Sequence, residues 1–600
     1  MAKKSKLRRD ENVPGIDEEA YCKLIEIGIA LSAERDHKRL IESILIGAKA
    51  LSNADGGTLY LLDDEVLRFE IMRTDSLGVA LGGTTGKVID FPPLHLHDPK
   101  TGEPNHRNVA THTALTGESI NIADAYEAED FDFSGTKKFD EGTGYRSKSF
   151  LTVPLKNHDG DVIGVLQILN ARDRGTNEVI AFPESIQPLI SALASQAAVA
   201  LDNQQLIQAL KELLDSFIEL MAGAIDAKSP YTGGHCQRVP ELTKMLVGAV
   251  CESDDPRFRD FDLTEEEWYE LHIAAWLHDC GKVTTPEYVV DKATKLETIY
   301  NRIHEIRTRF EVVKRDAEIE YWKARAEGAG DPKVLKERLD ERLAEIDDDF
   351  AFIAECNIGG EFMAPERIER TREIAARQWT RTLDDRLGLS REEVQRVEGV
   401  PARPLPATEN LLADKPEHVI ARAPEEFLPV GDKFGFNMEV PENKFNFGEI
   451  YNLAIARGTL TAEERFKIND HIVQTIIMLE QLPFPKHLRQ VPEYAGGHHE
   501  TMIGTGYPRK LKRDEMSVPA RVMAIADIFE ALTAADRPYK PPKTLGESVR
   551  IMSFMNKDQH IDPDLFELFL TSGVHMQYAE RFLKPEQIDE VDVEGVLNGG

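Results

Sequence analysis

An apolar helical run that ends in two ionisable residues constrains this chain more than any other feature. The segment "LHIAAWLHDCGK" (271–282) predicts a buried helix whose end presents His278 and Asp279. Gly281 is expected to cap that helix, and Lys282 follows it. Taken alone, a His-Asp pair at a helix end serves as a cap as readily as a metal site. The interpretation therefore depends on what the rest of the chain supplies.

Residues with the same ligand chemistry recur elsewhere, mostly on predicted helices. His235 follows a glycine pair at the start of a helix, and His471 lies on a helix whose other face is apolar. The stretch "AGGHHE" (495–500) adds His498 and His499 directly before a glycine-rich loop. Side chains that bind metals are thus supplied from several separate segments of the chain.

Asp527 completes this set, because it is embedded in an apolar helix where its charge needs a partner and a metal ion is an economical one. Five histidines and two aspartates form a nitrogen and oxygen ligand set that suits Fe, Mn, Zn, Ni or Co rather than a thiolate site. Neighbouring residues on a helix point about 100° apart. His278 and Asp279 are therefore expected to reach two adjacent ions, and a carboxylate can bridge ions ~3.5–4 Å apart.

Two hairpins around a polar, glycine-containing middle characterise the N-terminal part. They are predicted at "GGTLYLLDDEVLRFEIM" (56–72) and "SFLTVPLKNHDGDVIGVLQILNA" (149–171), the second turning at Asp159-Gly160. Helices are predicted before the first hairpin and after the second. Over residues 17–205 this order resembles a GAF domain, an α+β fold with an antiparallel sheet and helices. The resemblance implies a domain that binds an unknown small ligand or only dimerises.

A long helix is predicted over residues 186–227, where the GAF-like region ends. Its apolar residues recur at roughly heptad spacing, at Ile186, Ile190, Leu193, Ala197, Ala200, Ile207, Leu214, Phe217 and Met221. This pattern favours a signalling helix that pairs with its copy in a homodimer. The alternative is a helix packed on its own domain.

From residue 206 the chain is predicted to be all helical, with one highly charged segment standing apart. Residues 297–459 are interpreted as a helical insertion in a helical core. Within it, two helices are expected to be broken at Gly328–Pro332, and the proline-rich stretch 401–419 is expected to form a loop.

Three motifs, in this order, resemble those of an HD-GYP domain, a subgroup of the HD phosphohydrolase superfamily. They are "HDCGK" (278–282), "HHETMIGTGYP" (498–508) and "ADIFEALTAADRPYK" (526–540). The resemblance extends over residues 206–575 around the insertion. It implies an all-α fold with a two- or three-metal site, often iron or manganese. It also implies phosphodiesterase action on cyclic di-GMP, giving pGpG or GMP.

The resemblance also implies roles for individual residues. The metal-ligand positions fall on His235, His278, Asp279, His471, His498, His499 and Asp527. Lys282 takes the place of a lysine that contacts a substrate phosphate, and it is expected to be catalytic together with Asp279. Arg537 and Lys540 lie where the family's other phosphate-binding side chains are found. Tyr507 belongs to the GYP loop, which the family associates with substrate access and with docking of GGDEF-type diguanylate cyclases.

Three positions depart from the family pattern or leave it open. Ile503 replaces the usual aspartate of HHExxDGxGYP, a change expected to affect the loop surface rather than the ligands. Tyr231 stands where three-metal members carry a glutamate, which predicts a two-metal site. The third histidine ligand is His471 or His304, and the segment around His471 is the better match.

The amino-acid composition excludes several classes of function for this chain. The formal charge of −33 argues against nucleic-acid binding and against an anionic membrane surface, and any site for an anion must gather its own positive charge. No apolar run reaches the ~18 residues of a membrane span. Five scattered cysteines fit a reducing cytoplasm. Residues 1–16 are expected to form a flexible basic tail, and 576–600 a C-terminal helix and tail.

The sequence therefore predicts a cytoplasmic, GAF-regulated phosphodiesterase that uses two divalent transition-metal ions on cyclic di-GMP. One alternative is a non-catalytic receptor or scaffold that acts through its GYP loop. Another is a hydrolase of a related cyclic dinucleotide such as cyclic GMP-AMP. The complete ligand set and Lys282 favour an enzyme, since a degenerate receptor would be expected to lose some of these residues.

Overall fold

The computed structural model describes residues 18–227, 234–360, 362–427, 433–535 and 542–598. The chain divides into two compact units, residues 1–214 and 215–600. Among the described residues, no helix combines the length and the apolar character that a membrane crossing requires.

The first unit is an α+β fold, as the sequence predicted. Its helices are α1 (Glu18–Ala33), α2 (His37–Ser52), α3 (Val109–Thr116), α4 (Ser134–Thr143) and α5 (Gln187–Asp226), the last of which continues into the second unit. Its strands are β1 (Ala54–Asp63), β2 (Val66–Thr74), β3 (Val79–Gly82), β4 (Leu94–His95), β5 (Ile120–Ile122), β6 (Phe150–Lys156), β7 (Val162–Arg172) and β8 (Val179–Ile180).

These strands form one antiparallel sheet in the order β3-β2-β1-β7-β6-β5, with β4 on β2 and β8 on β7. Both predicted hairpins are confirmed as β1–β2 and β6–β7. Gly160 takes a φ of 88° in the second turn, a conformation that favours glycine. Side chains of β1 alternate between two cores. Leu59 and Leu61 pack with α1, α2 and the start of α5, whereas Tyr60 packs with α3 on the opposite face.

Helix α5 has two halves with different surroundings. In the first half, the predicted heptad residues Ile190, Leu193 and Ala197 are buried in the core of their own unit. In the second half, the apolar side chains that are between 56% and 67% exposed include Leu206, Leu210, Leu213, Phe217 and Leu220. Their alternating spacing of four and three residues is that of a coiled-coil seam. The predicted heptad stripe therefore mixes two environments, because it joined core-facing residues such as Leu193 to exposed ones such as Phe217.

The second unit is mostly helical. Its helices are α6 (His235–Cys251), α7 (Glu265–Leu277), α8 (Glu287–Val290), α9 (Ile303–Glu327), α10 (Pro332–Ile358), α11 (Pro365–Ala375), α12 (Arg391–Val397), α13 (Glu449–Leu453), α14 (Ala462–Glu480), α15 (Val491–Gly496), α16 (Val518–Thr533), α17 (Leu545–Lys557), α18 (Pro563–Thr571), α19 (Val574–Phe582) and α20 (Val593–Leu597). Its strands are β9 (Gln378–Arg381), β10 (Ala407–Asn410), β11 (Val419–Ala421) and β12 (Asn443–Asn446).

The predicted insertion, residues 297–459, has a hydrophobic core of its own in which α9 and α10 pack together. The predicted break between these helices is confirmed, since Gly328 ends α9 with a φ of 68° and Pro332 begins α10. Two small antiparallel sheets, β9–β10 and β11–β12, add strands that the sequence analysis did not predict. One of them, β10, lies within the stretch 401–419 that was expected to be a loop.

The remaining helices form the core that positions the site. Helices α6, α7, α14, α15 and α16 pack on one another. Two of them begin with reciprocal capping boxes, Thr264 with Glu267 on α7 and Thr461 with Glu464 on α14. These caps fix the residue at which each helix starts. They therefore also fix which residues of that helix face the site.

Candidate metal centre

All seven predicted metal-ligand residues come together in the second unit, as two groups that share one residue. One group is Asp279, His471, His498 and His499, and the other is His235, His278, Asp279 and Asp527. Within each group, one nitrogen or oxygen atom per residue lies within 4.8 Å of the others. Residues more than 200 positions apart in sequence thus converge on one carboxylate.

The Asp279 side chain, only 2% exposed, turns one oxygen toward each group. Its Oδ1 atom lies 3.0 Å from Nε2 of His471 and 3.9 Å from Nε2 of His498. Its Oδ2 atom lies 3.2 Å from Nε2 of His235 and 3.2 Å from Nε2 of His278. This is the arrangement expected of a carboxylate that bridges two ions.

Three of the histidines are oriented by the backbone of their own helix or turn. The Nδ1 atoms of His278, His471 and His498 lie 2.7, 2.5 and 2.7 Å from the carbonyl oxygens of Ala275, Ile468 and Ala495, each three residues earlier. Because Nδ1 donates its proton to a carbonyl, the lone pair of Nε2 faces the cluster.

Several of the inward-facing atoms are buried without a hydrogen-bond partner among the described residues. They are Nε2 of His278, Nε2 of His498 and Oδ1 of Asp279. Buried polar atoms are normally paired, so orphaned acceptors in both ligand groups call for an electrophile in each group. The donor set therefore fits divalent metal ions.

Burial makes two of the histidines ready ligands. It lowers the pKa of His498 to about 4, with the neighbouring His278 adding to the effect. Burial, followed by the nearby His498, also holds the pKa of His499 well below its usual range. Both imidazoles are consequently neutral near pH 7, which is the form that binds a metal.

The pKa of Asp279 is also lowered, but neighbouring charges rather than burial cause the shift. Burial alone would raise the pKa of Asp279, but Lys282 and His278 outweigh it and hold that pKa well below its usual range. The Nζ atom of Lys282 lies 2.5 Å from Oδ2 of Asp279. Although burial opposes charge on Lys282, Asp279 and Asp527 raise its pKa, so it remains an ammonium.

Glu530 is a site residue that the sequence analysis missed. Its carboxylate, 1% exposed, accepts a hydrogen bond from Nδ1 of His235 and another, of 2.8 Å, from Nε of Arg238. A carboxylate behind a ligating imidazole fixes the ring and makes it more basic. The signal was available, since Glu530 lies three residues after Asp527 and so on the same face of α16.

Gly281 has a different role from the one predicted. The helix α7 ends at Leu277 and the residues after it form a 3₁₀ turn, Cys280–Thr284, packed on α14. Gly281 is not one of the described glycines with a positive φ, so it lacks the left-handed conformation of a C-cap. Its amide donates a 2.9 Å hydrogen bond to Oγ1 of Thr475, and a Cβ at this position would lie 1.9 Å from the carbonyl oxygen of His471. Glycine is thus required by a close backbone approach rather than by a turn.

The GYP loop is held against the histidine pair by Glu500, which is 1% exposed. Its two carboxylate oxygens accept hydrogen bonds of 2.7 and 2.9 Å from the backbone amides of Arg509 and Leu511. The amide of Tyr507 donates a 3.2 Å bond to the carbonyl of His499. The Tyr507 ring also stacks on the His499 imidazole, with centroids 4.8 Å apart. The loop therefore forms one rim of the cluster.

Other predicted residues lie away from the cluster or outside the described residues. His304 lies at the start of α9, next to Arg307, and is in neither ligand group, so the structure places His471 rather than His304 in the cluster. Arg537, Lys540 and Tyr231 lie outside the described residues. Ile503 is 47% exposed, so the departure from the family motif falls on the outer surface of the loop.

Comparison with known families identifies both units. The GAF domain family matches residues 36–201 and the HD domain family matches residues 406–565. The chain therefore carries a GAF domain followed by an HD domain, and the recognition of both from sequence is confirmed. The HD match begins within the predicted insertion and contains His471, His498, His499 and Asp527. The structure adds the candidate ligand residues His235, His278 and Asp279, which precede the insertion.

Three curated proteins of Vibrio cholerae are similar to parts of this chain. "3'3'-cGAMP-specific phosphodiesterase 1" is 31% identical over 24% of this chain and 34% of its own length. "3'3'-cGAMP-specific phosphodiesterase 2" is 38% identical over 19% of this chain and 21% of its own length. "Probable cyclic di-GMP phosphodiesterase" is 32% identical over 22% of this chain and 32% of its own length. The chain thus spans at most about a third of the length of these relatives.

Substituting Gly281 tests the close approach of the 3₁₀ turn to α14. In Gly281→Ala, the new methyl group would overlap the His471 carbonyl and push a ligand out of place. We expect loss of bound metal and a destabilisation of about 1–3 kcal/mol, as in other overpacked cores. Metal analysis and thermal denaturation measure the two effects. Gly248→Ala, on α6, is the control, because a Cβ there meets no atom within 4 Å. Equal behaviour of the two variants would contradict the packing argument.

Substituting Glu530 tests its support of His235. We expect Glu530→Gln to keep the fold but to weaken metal binding about 10–100-fold, as loss of outer-shell carboxylates generally does. Titration of the metal-free protein with Mn(II) measures the affinity. Glu463→Gln removes another buried carboxylate, which lies at the start of α14, accepts a hydrogen bond from Tyr451 and is in neither ligand group, and this variant should bind metal normally. Unchanged affinity in Glu530→Gln would rule out the supporting role.

Proposed function

We propose that this protein is a metal-dependent phosphodiesterase that hydrolyses a cyclic dinucleotide, cyclic di-GMP being the first candidate and pGpG or GMP the product. The observation that carries the proposal is the buried Asp279 carboxylate shared by two ligand groups, with the Lys282 ammonium beside it. The names of the relatives, which include both cyclic di-GMP and 3'3'-cGAMP phosphodiesterases, support this substrate class. 3'3'-cGAMP is therefore the second candidate.

The chain's own residues would hold two divalent ions, iron or manganese in the first instance. One would be bound by His471, His498 and His499 and the other by His235, His278 and Asp527, with Asp279 common to both. When bound, such ions act as Lewis acids and lower the pKa of coordinated water. His235 is kept in a fixed orientation by Glu530, which lets the site stay formed during turnover.

Lys282 and Tyr507 lie beside the metal-ligand cluster, where they would meet the substrate. The Lys282 side chain is 30% exposed, so its ammonium can leave Asp279 for a phosphate oxygen and neutralise charge that develops there. Tyr507 covers His499 and presents the rest of its ring at the rim. Arg537 and Lys540 are proposed, from the family resemblance, as further phosphate-binding residues.

Two variants separate metal binding from catalysis. The protein is purified without oxygen, loaded with Mn(II) or Fe(II), and incubated with cyclic di-GMP or 3'3'-cGAMP while products are followed by chromatography. Asp279→Ala is expected to lose both the metals and hydrolysis, because it removes a ligand from each group. Lys282→Ala is expected to keep the metals and to lose about 100-fold in kcat/KM, the usual effect of removing one transition-state contact.

Lys333→Ala, an exposed lysine on α10, is the matched control and should retain full activity. Full activity in Asp279→Ala would refute the site. An unchanged kcat/KM in Lys282→Ala would remove that residue from the mechanism. Metal-loaded wild type that binds a cyclic dinucleotide without turnover would establish the receptor function in place of the enzyme.

The same proposal includes regulation by the GAF domain, through a small ligand, and docking of a GGDEF-type cyclase on the GYP loop. It also includes a homodimer formed through the exposed stripe of α5. A second copy is the natural occupant, because the four-three spacing of Leu206, Leu210, Leu213, Phe217 and Leu220 matches the identical seam of a partner helix.

Charges placed in that stripe test the homodimer. We expect the wild type to be dimeric and Leu213→Glu with Leu220→Glu to be monomeric, since like charges would face each other across the seam. Light scattering coupled to size exclusion measures the mass. Ile319→Glu, an exposed isoleucine on α9, is the control and should leave the dimer intact. A monomeric wild type, or a double variant that stays dimeric, would exclude this interface.

A further inference from the structure

A cavity of about 1160 Å³ opens beside the GYP loop, between that loop, α14 and the predicted insertion. The insertion contributes Asn437 and Arg457, α14 contributes Arg465, and the loop contributes Tyr507 and Lys510. Its volume lies slightly above the ~300–1,000 Å³ typical of small-molecule sites. It is therefore large enough for a ligand bigger than a mononucleotide.

Hydrogen bonds fix the insertion to the loop along one side of this cavity. The amide of Asn437 donates a 2.7 Å bond to the carbonyl of Pro508, and Nε of Arg509 donates a 2.8 Å bond to the carbonyl of Phe434. The first bond joins backbone to backbone and the second joins the Arg509 side chain to backbone of the insertion, so the wall that the insertion provides is held in register with the GYP loop.

The charge of the cavity is opposite to that of the chain. Its lining includes four cationic residues and two acidic ones, although the whole chain has 105 acidic and 72 basic residues. One of the acids, Asp414, is occupied by the backbone amides of Ile450 and Tyr451, at 2.9 and 3.1 Å. Among the described residues, none forms an ion pair with Arg457, Arg465 or Lys510. An anion is the ligand that this lining would attract.

One side chain, Tyr507, is common to the cavity and the metal centre. The Tyr507 ring stacks on His499 and also lines the cavity. A ligand that fills the cavity and extends past Tyr507 would therefore reach the metal-ligand cluster with its other end.

We propose that this cavity binds the half of a cyclic dinucleotide that is not being cleaved, and that the insertion is therefore part of the substrate site. A cyclic dinucleotide carries two phosphodiesters, and the metal centre accounts for only one of them. Arg457 from the insertion and Arg465 from α14 would neutralise the second phosphate. The apolar lining, which includes Phe466, would contact the bases of the cyclic dinucleotide. This inference rests on the proposed function, which it makes more specific.

The test removes both arginines and separates KM from kcat. The double variant Arg457→Gln with Arg465→Gln is loaded with Mn(II) and assayed on cyclic di-GMP and on 3'3'-cGAMP. We expect KM to rise about tenfold or more, as for lost charge-assisted hydrogen bonds, with kcat within about twofold and metal content unchanged. Arg315→Gln with Lys336→Gln is the control, because it removes the same charge from α9 and α10 of the insertion, where both residues are exposed and paired within their own helices.

The outcomes distinguish this inference from the proposed function. An unchanged KM in the cavity variant, or a fall in kcat and metal content at constant KM, would overturn the inference while the enzyme stands. An equal rise in KM in the control would also overturn it, since general charge would then explain the effect. If the wild type binds cyclic di-GMP in calorimetry without hydrolysis, the proposed function fails, and a weaker Kd in the cavity variant still supports the inference. A wild type that neither binds nor hydrolyses either dinucleotide overturns both.

Discussion

The second unit depends on one buried charge. Asp279 lies at the end of an apolar helix, and its carboxylate would be strongly disfavoured there without compensation. Histidine nitrogens surround each of its oxygens, and Lys282 contacts one of them. The helices that deliver these groups are thus arranged around the requirement to stabilise a single anion. Even a short shift of one of these helices would remove a group that stabilises the Asp279 carboxylate.

Local chemistry made much of this structure predictable. Hairpins with a glycine turn and helices broken at Gly328–Pro332 follow from backbone preferences over a few residues, and they were found where expected. The metal-ligand residues were recognisable because metal chemistry permits few side-chain types. For the histidines and aspartates, three motifs in a fixed order indicated candidate ligands before any geometry was known.

Features that depend on distant contacts were not predictable in the same way. Gly281 looks like a helix cap in sequence, but its role follows from α14, which is about 190 residues later in the chain. The stripe on α5 was misread because apolar residues facing a core and apolar residues facing outward are identical in sequence. Sequence spacing places Glu530 on the same face of α16 as Asp527, but its contact with His235 joins residues 295 positions apart. The strands of the insertion are too short to leave a clear period-two pattern.

Glu500 holds the GYP loop through backbone amides, and this affects which substitutions the loop can accept during evolution. It accepts hydrogen bonds from main-chain amides of Arg509 and Leu511, and every residue except proline offers the same amide. Substitutions on the outer surface of the loop, such as Ile503 in place of an aspartate, therefore leave the position of His499 unaffected. The loop can acquire new binding surfaces by mutation while the metal-ligand residues beneath it stay in place.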